Sequence, residues 1–355
     1  MSKILILGDL HIGCRNNNSY FMEYQRTFFT NLQNYIIKNN ISTIIQLGDI
    51  LDNRTNISFL TSKFLFDFLQ WFDDNKKKLY IITGNHDTYY RNTLDTSGIN
   101  QFKSMFNYVD VISKETVITD NNTDFILIPW ICDENKQEIE NFLENYSSPN
   151  KKIVCGHFEL ENFPISKNRM SDKGQIETKK LEKFDIVYSG HFHSPSESKN
   201  IIYVGTPYQI TWNDYGDKKR MIIYDTENNL AREIFNSNKI FDKIIYEKSL
   251  LNTNLEKYKN KILKIIISDD INFDQNTYEL FLQKLEIEAK PHSIKTIDIR
   301  ENNLNIEETQ NIELEDPMEI ILSTIKNLNI TDDSKEFIKN ELFNIHKTAS
   351  EMNEY

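Results

Sequence analysis

Residues 4–11 read ILILGDLH, and this short stretch carries the pattern that decides the fold. Four consecutive apolar residues indicate a buried strand, and Gly8 marks the point where the chain leaves it. Asp9 and His11 follow at once, two positions apart in an extended loop, so both side chains can turn to one ion. The stretch therefore predicts a β-strand whose carboxyl end carries metal-binding side chains.

Similar segments, in which metal-binding residues follow a strand and a glycine, occur at four further places. They are Gly48-Asp49-Ile50-Leu51-Asp52, Gly84-Asn85-His86-Asp87, Gly156-His157 and Gly190-His191-Phe192-His193. Sheet proteins usually place their chemistry at the carboxyl ends of strands, so we expect these side chains to converge at one edge. A single such motif can arise by chance or serve structure alone, but five together at strand ends indicate a metal site.

The residue types predict a site for two divalent transition metals. Carboxylate, imidazole and amide ligands suit Mn, Fe or Zn, and the lack of thiolates argues against a structural zinc. A carboxylate such as Asp49 can bridge two ions about 3.5–4 Å apart, and such ions activate a water that attacks phosphorus in line. The predicted chemistry is phosphoester hydrolysis without a covalent protein intermediate.

Three further residues in these motifs are candidates for catalysis. His86 is left over once the metals are filled, so we expect it to serve as acid or electrostatic partner of the leaving oxygen. Asp87 is adjacent and could orient His86. Asp52 is interpreted either as a catalytic helper or as a residue that caps a turn.

The first 225 or so residues alternate short apolar runs with amphipathic stretches, which predicts an α/β fold. Apolar residues at near-helical spacing over 21–36 and 59–72 indicate two helices packed on a sheet. The runs interpreted as buried strands are Ile4–Leu7, Thr43–Leu47, Leu79–Ile82, Phe125–Ile128, Ile153–Cys155, Asp185–Tyr188, Ile201–Val204 and Met221–Tyr224.

The pattern changes beyond Asp225. Ile262–Ser268, Tyr278–Glu288 and Ser293–Arg300 predict a small β-α-β unit, and the polar, acidic stretch 301–316 predicts a linker. Asp316-Pro317 supplies a helix N-cap followed by proline at the first helical position, and two short helices are expected over 317–355.

Bulk composition favours a soluble globular protein. The 355 residues are 39% hydrophobic and 26% charged, and no apolar run is long enough to span a bilayer. The chain begins without a signal-peptide layout, and Cys14, Cys132 and Cys155 are an odd number without metal-ligand spacing, which favours a reducing cytoplasm. The net charge of −12 argues against a uniformly basic nucleic-acid binder, but it leaves room for a local basic patch.

The five motifs, in this order, resemble those of the calcineurin-like metallophosphoesterases. Gly205-Thr206-Pro207-Tyr208-Gln209, followed by Gly216-Asp217-Lys218-Lys219, further resembles SbcD-type nucleases, the bacterial and phage branch of the meiotic-recombination-11 family. The resemblance implies a four-layer α-β-β-α sandwich with a small α+β capping domain and C-terminal partner-binding helices. It implies a nuclease domain over 1–225, a DNA-binding cap over 226–300, an acidic linker over 301–316 and a helical partner-binding segment over 317–355.

The same resemblance assigns roles to individual residues. One metal would be held by Asp9, His11, Asp49 and His193, and the other by Asn85, His157 and His191, with Asp49 bridging. His86 matches the catalytic histidine of the family. Position 52 is His in the archaeal and eukaryotic branch but Asp here, as in the bacterial branch, so a role for Asp52 does not transfer from the His-bearing proteins.

The activity implied by the resemblance is exonuclease action on DNA ends, with endonuclease action on single strands or hairpins. Two Mn²⁺ ions are the implied cofactors, with Mg²⁺ or another divalent metal as the alternative. The implied assembly is a homodimer bound, through 317–355, to an SMC-like ABC ATPase of SbcC type. Candidates for DNA contact, each equally explained as solvated surface, are Arg15, Asn16, Asn17, Arg54, Arg91 and the cluster Lys218-Lys219-Arg220.

Two rival functions remain open on the residues alone. A small-molecule or protein metallophosphatase or phosphodiesterase could use the same scaffold, but protein phosphatases typically carry GD-x-x-D-R-G and GNHE. Here Asn53-Arg54 follows Asp52, and the third motif ends in Asp87. A non-enzymatic scaffold protein is disfavoured because no ligand of the pattern is missing.

Overall fold

Two six-stranded sheets carry the fold in the computed structural model, which describes residues 3–166, 169–268 and 273–301 together with position 338. The strands in chain order are β1 (Lys3–Leu7), β2 (Thr43–Gln46), β3 (Lys78–Ile82), β4 (Val109–Ile112), β5 (Thr116–Asp120), β6 (Thr123–Ile128), β7 (Lys151–Gly156), β8 (Pro164–Ser166), β9 (Arg169–Met170), β10 (Ile186–Ser189), β11 (Ser196–Ser198), β12 (Ile201–Tyr203), β13 (Arg220–Asp225), β14 (Leu230–Phe235), β15 (Phe241–Ile245), β16 (Ile262–Ile267) and β17 (Ser293–Asp298). The helices are α1 (Cys14–Asn17), α2 (Ser19–Lys38), α3 (Phe59–Asp74), α4 (Lys136–Asn145) and α5 (Gln275–Glu288).

Parallel pairing brings the predicted motif strands side by side. The first sheet has the order β14-β13-β1-β2-β3-β4, and the second has the order β11-β12-β10-β7-β6-β5. Strands β1 to β4 are mutually parallel, and β6, β7, β10 and β12 are parallel in the other sheet. Within each sheet the carboxyl ends of the parallel strands therefore open at one edge.

Side-chain alternation along the strands builds four layers. Leu5 of β1 packs in a core cluster with residues of α2 and α3, whereas Ile4 and Ile6 pack against Phe125 and other residues of the second sheet. The opposite face of the second sheet packs against α4 through a third cluster, which includes Leu143. The predicted α-β-β-α sandwich is thus confirmed, and the eight predicted strands are all present within about two residues.

Helices α2 and α3 form where the apolar spacing predicts them. Asn18 caps α2 by accepting a hydrogen bond from the backbone N–H of Tyr20, and Ser58 caps α3 by accepting one from Thr61. Each cap satisfies a donor that the first helical turn leaves without a partner, which is worth about 1 kcal/mol. Both helices then bury their apolar stripe against the first sheet.

The boundary predicted after Asp225 is too early. Strand β14 pairs antiparallel with β13 along its whole length, so the first sheet continues to Phe235. The residues of β14 are mostly exposed, because it is the edge strand of that sheet. Its sequence therefore lacks the apolar run that marks the buried strands.

The predicted β-α-β unit is present as β16, α5 and β17, with β15 as an additional strand in a three-stranded sheet. Residues 3–265 and 273–296 belong to one compact unit, in which the ring of Phe241 lies 4.7 Å from that of Trp212. Residues 266–268 and 297–301 belong to a second unit, in which Ile266, Ile297 and Ile299 pack together. Apart from positions 301 and 338, the predicted linker and partner-binding helices lie outside the described residues.

A buried carboxylate fixes the connection between α4 and β7 to the second sheet. Asp124 of β6 accepts hydrogen bonds from the side chains of Thr119, Tyr146, Ser148 and Asn150. Burial would raise the pKa of Asp124, but these four hydrogen bonds outweigh it and lower the pKa to about 2.

Candidate metal centre

Loops after five parallel strands bring the predicted metal ligands together. Asp9 and His11 follow β1, Asp49 follows β2, and Asn85 follows β3. From the second sheet, His157 follows β7, and His191 and His193 follow β10. Residues that lie far apart in the sequence thus meet at one place.

The ligand atoms form two groups. One contains Asp9, His11 and His193, the other contains Asp49, His157 and His191, and the ligand atoms within each group lie within 4.8 Å of one another. Asn85 joins the second group, because its Oδ1 lies 3.0 Å from both His157 Nε2 and His191 Nδ1. The resemblance also separates Asp9, His11 and His193 from Asn85, His157 and His191, but it counts Asp49 with the first set as a bridge, and metal binding by these residues stays a prediction.

Asp49 connects the motif loops. Its backbone carbonyl accepts hydrogen bonds of 3.0 Å from the N–H groups of Leu10 and His11. Its side-chain Oδ1 accepts one of 2.7 Å from the N–H of His86, and Oδ2 lies 3.2 Å from His157 Nε2. The Asp49 carboxylate thus belongs to the second ligand group, while its backbone carbonyl holds the loop that carries the first group.

The loops approach so closely that glycine is required. A Cβ on Gly84 would lie 2.2 Å from the backbone nitrogen of Asp49 and 2.3 Å from its Oδ1. Ligand residues themselves adopt left-handed backbone conformations, with φ of 43° at His11, 51° at Asp49 and 84° at His191. Such conformations cost about 1–3 kcal/mol each and cluster where a fold holds functional groups.

Polar contacts of the ring nitrogens set the direction in which the imidazoles face. His157 Nδ1 lies 2.8 Å from the carbonyl oxygen of Leu47, to which it donates, so Nε2 is the ring nitrogen that faces Asp49 and Asn85. His11 Nδ1 lies 3.3 Å from Asp52 Oδ1, which leaves its Nε2 only 3.0 Å from His193 Nε2. In both groups, nitrogen and oxygen lone pairs therefore converge.

The electrostatics of the site fit bound cations. Burial lowers the pKa of both His191 and His193 to about 3, so their imidazoles are neutral at pH 7 and can act as ligands. Burial would also lower the pKa of His157 and of His11, but neighbouring carboxylates outweigh it and raise both pKa values to about 9, so in the metal-free site these two imidazoles hold protons that a bound cation would displace. Buried carboxylates and converging lone pairs need compensating positive charge, so the donor set suits two divalent ions.

His86 lies beside the first group, with its ring centroid 5.0 Å from that of His11. Its Nδ1 lies 2.6 Å from the backbone carbonyl oxygen of Asp52, so Nε2, on the other side of the ring, is not used in that contact. The interpretation that the Asp87 side chain orients His86 is wrong. The Asp87 carboxylate instead accepts hydrogen bonds from the backbone N–H groups of Leu51 and Gly84, at 3.0 and 2.8 Å.

Several candidates for DNA contact have structural partners. Lys219 is buried, and its ammonium bonds to Asp214 and to the carbonyl of His193, so the prediction that it contacts DNA is wrong. Arg54 donates to the backbone carbonyl of Asn85, and Arg15 donates to that of Ile210. Asn17 accepts a hydrogen bond from Thr61. The side chains of Arg91 and Lys218 are exposed.

Sequence reasoning missed the residues that hold the first motif loop from behind. Gln25 of α2 donates to the carbonyls of Leu10 and His11, at 3.1 and 2.9 Å. Tyr208 donates to the same Leu10 carbonyl and accepts from Gln25. Both side chains are buried, and Gln25 is a buried amide within an apolar helical stripe, which was the one available signal.

Two neighbouring groups of candidate metal ligands on a two-sheet sandwich define the class, which is that of the metallophosphoesterases. The chain belongs to the calcineurin-like phosphoesterase family, whose sequence model matches residues 2–195. It is 29% identical over 335 residues to exonuclease subunit 1 of Enterobacteria phage T4, and the match covers 94% of this chain and 95% of that protein. It is 23% identical over 261 residues to the SbcD component of the nuclease SbcCD from Staphylococcus epidermidis, covering 66% of this chain and 68% of that protein.

Two solved structures are similar at low identity. An archaeal phosphodiesterase matches with a TM-score of 0.34 and 14% identity, covering 66% of this chain and 99% of that one. A dimetal phosphatase from Danio rerio matches with a TM-score of 0.40 and 12% identity, covering 62% and 95%. No helix among the described residues is long and apolar enough to cross a membrane.

Proposed function

We propose that this protein is the nuclease subunit of an SbcCD-like complex for DNA repair, recombination and replication. It would act as an exonuclease on DNA ends and as an endonuclease on single strands. The observation that carries the proposal is the pair of adjacent ligand groups with His86 beside them. Similarity over nearly the full length of the T4 exonuclease subunit supports DNA as the substrate.

The residues would divide the work as follows. Asp9, His11 and His193 would hold one Mn²⁺, and Asn85, His157 and His191 the other, with Asp49 shared. Two bound ions supply an activated water and charge stabilisation for attack on phosphorus. The Asp52 carbonyl accepts from Nδ1 of His86, so Nε2 is the ring nitrogen left for the leaving oxygen. Because burial lowers the pKa of His86, Nε2 must first take up a proton, and the resulting imidazolium would then give that proton to the leaving oxygen.

The test uses His86→Asn and His86→Gln with labelled linear DNA and a small phosphodiester in the presence of Mn²⁺. The Asn amide can replace the Nδ1 donor toward Asp52, whereas the Gln amide reaches nearer the position of Nε2. We expect both variants to lose about 10²–10⁴-fold in DNA cleavage while still binding two Mn²⁺. Unchanged cleavage would remove His86 from catalysis, and rapid hydrolysis of the small ester with intact DNA would favour a phosphodiesterase instead.

We propose that DNA approaches over the motif loops. Arg91 and Lys218 are exposed, and a polar cavity of about 170 Å³ beside Asp52 is lined by Asn16, Asn17 and other polar side chains. The slope of log affinity against log salt gives the number of phosphate contacts, and Arg91→Ala with Lys218→Ala should reduce it by about one per residue. An unchanged slope would exclude these two side chains from the interface.

Two assembly states are part of the proposal. Residues 317–355 would bind an SMC-like ABC ATPase of SbcC type, and deleting them should abolish co-purification with that ATPase while Mn²⁺-dependent cleavage by the free protein persists.

The chain would also form a homodimer. Phe59 and Leu60 at the start of α3 are the candidate contact residues, because they are apolar and 96% and 58% exposed. A monomeric mass by light scattering at micromolar concentration would refute the dimer. Three free cysteines are consistent with the proposed cytoplasmic location in a bacterial or phage-infected cell.

A further inference from the structure

A buried ion pair lies directly behind one of the metal-ligand loops. Lys219 and Asp214 have side-chain exposures of 3% and 0%, and the lysine Nζ lies 2.5 Å from Asp214 Oδ1. The other carboxylate oxygen of Asp214 accepts hydrogen bonds of 2.7 Å from the backbone N–H groups of Ile210 and Thr211. Asp214 is therefore fully bonded, and it holds the lysine in one position.

The ammonium of Lys219 extends this contact to the metal centre. Its Nζ donates to the backbone carbonyl of His193 at 2.9 Å, and the N–H of Thr206 donates to the same oxygen at 3.0 Å. The next residue is held as well, because Ser194 Oγ donates to Asp217 Oδ2 at 2.9 Å, and that oxygen lies 3.3 Å from the same ammonium. Lys219 thus joins three points that surround the backbone of residues 193 and 194.

Stability alone does not account for such a pair. Removing two charges from water costs about as much as their attraction returns, so well-packed apolar residues of similar volume would often serve the fold equally well. An apolar pair, however, could not donate to the His193 carbonyl. The backbone carbonyl that accepts from Lys219 belongs to a residue whose side chain is a candidate metal ligand, since His193 Nε2 lies 3.0 Å from His11 Nε2.

We infer that Lys219, held in place by Asp214, is a positioning residue that fixes the backbone of His193 and so sets the affinity of the Asp9–His11–His193 group for its divalent cation. This inference rests on the proposed function, in which that group binds an ion. It concerns one of the two groups only, because the described contacts of Lys219 reach His193 and none of the ligands Asp49, Asn85, His157 and His191.

The test measures Mn²⁺ binding to the metal-free full-length protein by isothermal titration calorimetry. The variant is Lys219→Met, which keeps the length of the side chain and removes the ammonium. The matched control is Lys199→Met, where an exposed lysine forms an ion pair of 2.5 Å with Glu182 away from the metal centre. Residues that orient a ligand without touching the metal typically change metal affinity by 10- to 100-fold. We therefore expect the affinity for one of the two Mn²⁺ equivalents to fall by roughly 10- to 100-fold in Lys219→Met. Neither affinity should change in the control.

Lys219→Met leaves Asp214 buried without its cation, so a second variant guards against a folding defect. The double variant Asp214→Asn with Lys219→Met removes the buried Asp214 charge together with its cation, keeps a carbonyl acceptor at position 214 and still lacks the donor to His193. It should show the same selective loss. Adding Lys219→Met to His193→Ala should cause no further loss, because the ligand that the lysine positions is already gone.

The outcomes separate the inference from the proposed function. Wild-type protein that binds fewer than two Mn²⁺ would refute the two-metal site, and with it the inference. Wild-type protein that binds two, with both equivalents unchanged in the neutral double variant, would refute the inference alone. Equal weakening of both equivalents would also refute it, because a general loss of structure, unlike a contact to His193, does not distinguish the two groups.

Discussion

Replacing Tyr208 with Phe removes one hydroxyl from the support of the first motif loop and leaves the ring in place. The ring is fully buried and packs edge-on against those of Tyr24 and Phe28, at 5.8 and 4.9 Å. The hydroxyl donates to the Leu10 carbonyl and accepts from Gln25 Nε2 at 3.0 Å. The substitution therefore changes two hydrogen bonds and little else.

The magnitude follows from which partners remain satisfied. Gln25 Nε2 keeps its bonds to the Leu10 and His11 carbonyls, at 3.1 and 2.9 Å, so no polar group is left without a partner. The variant loses one full hydrogen bond, to Leu10, and one shared bond, because the two amide hydrogens of Gln25 serve three acceptors. Tyr208→Phe should therefore lower the free energy of unfolding by about 1–2 kcal/mol. Because Leu10 lies between Asp9 and His11, we also expect weaker binding of Mn²⁺ by that ligand group.

Urea denaturation of the metal-free protein measures the first effect, and calorimetric Mn²⁺ titration measures the second. Tyr224→Phe is the matched control, since its ring is equally buried and its hydroxyl makes one hydrogen bond, of 3.2 Å, to Asn229 Oδ1. That variant should lose about 0.5–1.5 kcal/mol and keep wild-type Mn²⁺ affinity. If Tyr208→Phe lost no more stability than Tyr224→Phe and bound Mn²⁺ as the wild type does, the support assigned to Tyr208 would be refuted.

Three further substitutions test other parts of the molecule. Asp124→Asn should lower the free energy of unfolding by about 2 kcal/mol at pH 7. Because the pKa of Asp124 in the folded state is lowered to about 2, its carboxylate stabilises the fold fully above pH 4, and this stabilisation is lost as the pH falls toward 2. Urea denaturation should therefore show that the difference in stability between wild type and variant narrows over that range. Gly84→Ala should weaken Mn²⁺ binding more than tenfold, because its Cβ would lie 2.2 Å from Asp49 N, whereas Gly174→Ala, with its nearest neighbour at 3.1 Å, should leave calorimetric binding unchanged. Phe281→Ala should lower the free energy of unfolding by about 3–5 kcal/mol, because the buried ring leaves a cavity. Calorimetry should still show a single unfolding transition for the compact unit that contains Phe281, and a separate early transition would show that these residues do not unfold as one unit.

The sequence predicted which candidate ligands come together because each motif is local. An apolar run, a glycine and a ligand lie within about eight residues, so strand and ligand are recognised together. Parallel pairing then fixes where the strand ends meet, and the structure brings the seven predicted ligands into two groups without any further signal. The motifs could not predict which atoms the side chains around the ligand loops bond to.

Lys219 and Arg54 illustrate that limit. Both are basic residues near motif loops, and sequence proximity to a phosphate-cleaving site made DNA contact the natural interpretation. Their partners are backbone carbonyls of ligand residues, 26 positions before Lys219 and 31 positions after Arg54. A carbonyl has the same chemistry at every residue, so no composition or spacing could have marked those of His193 and Asn85 as acceptors.

Asp52 shows how backbone and side chain can divide the work at one position. Its carbonyl accepts from His86 Nδ1, and any residue at position 52 would supply that oxygen. Its carboxylate lies 3.3 Å from His11 Nδ1, and only this contact depends on the side chain. The orientation of His86 is therefore independent of whether position 52 is Asp or His, whereas the support of His11 is not.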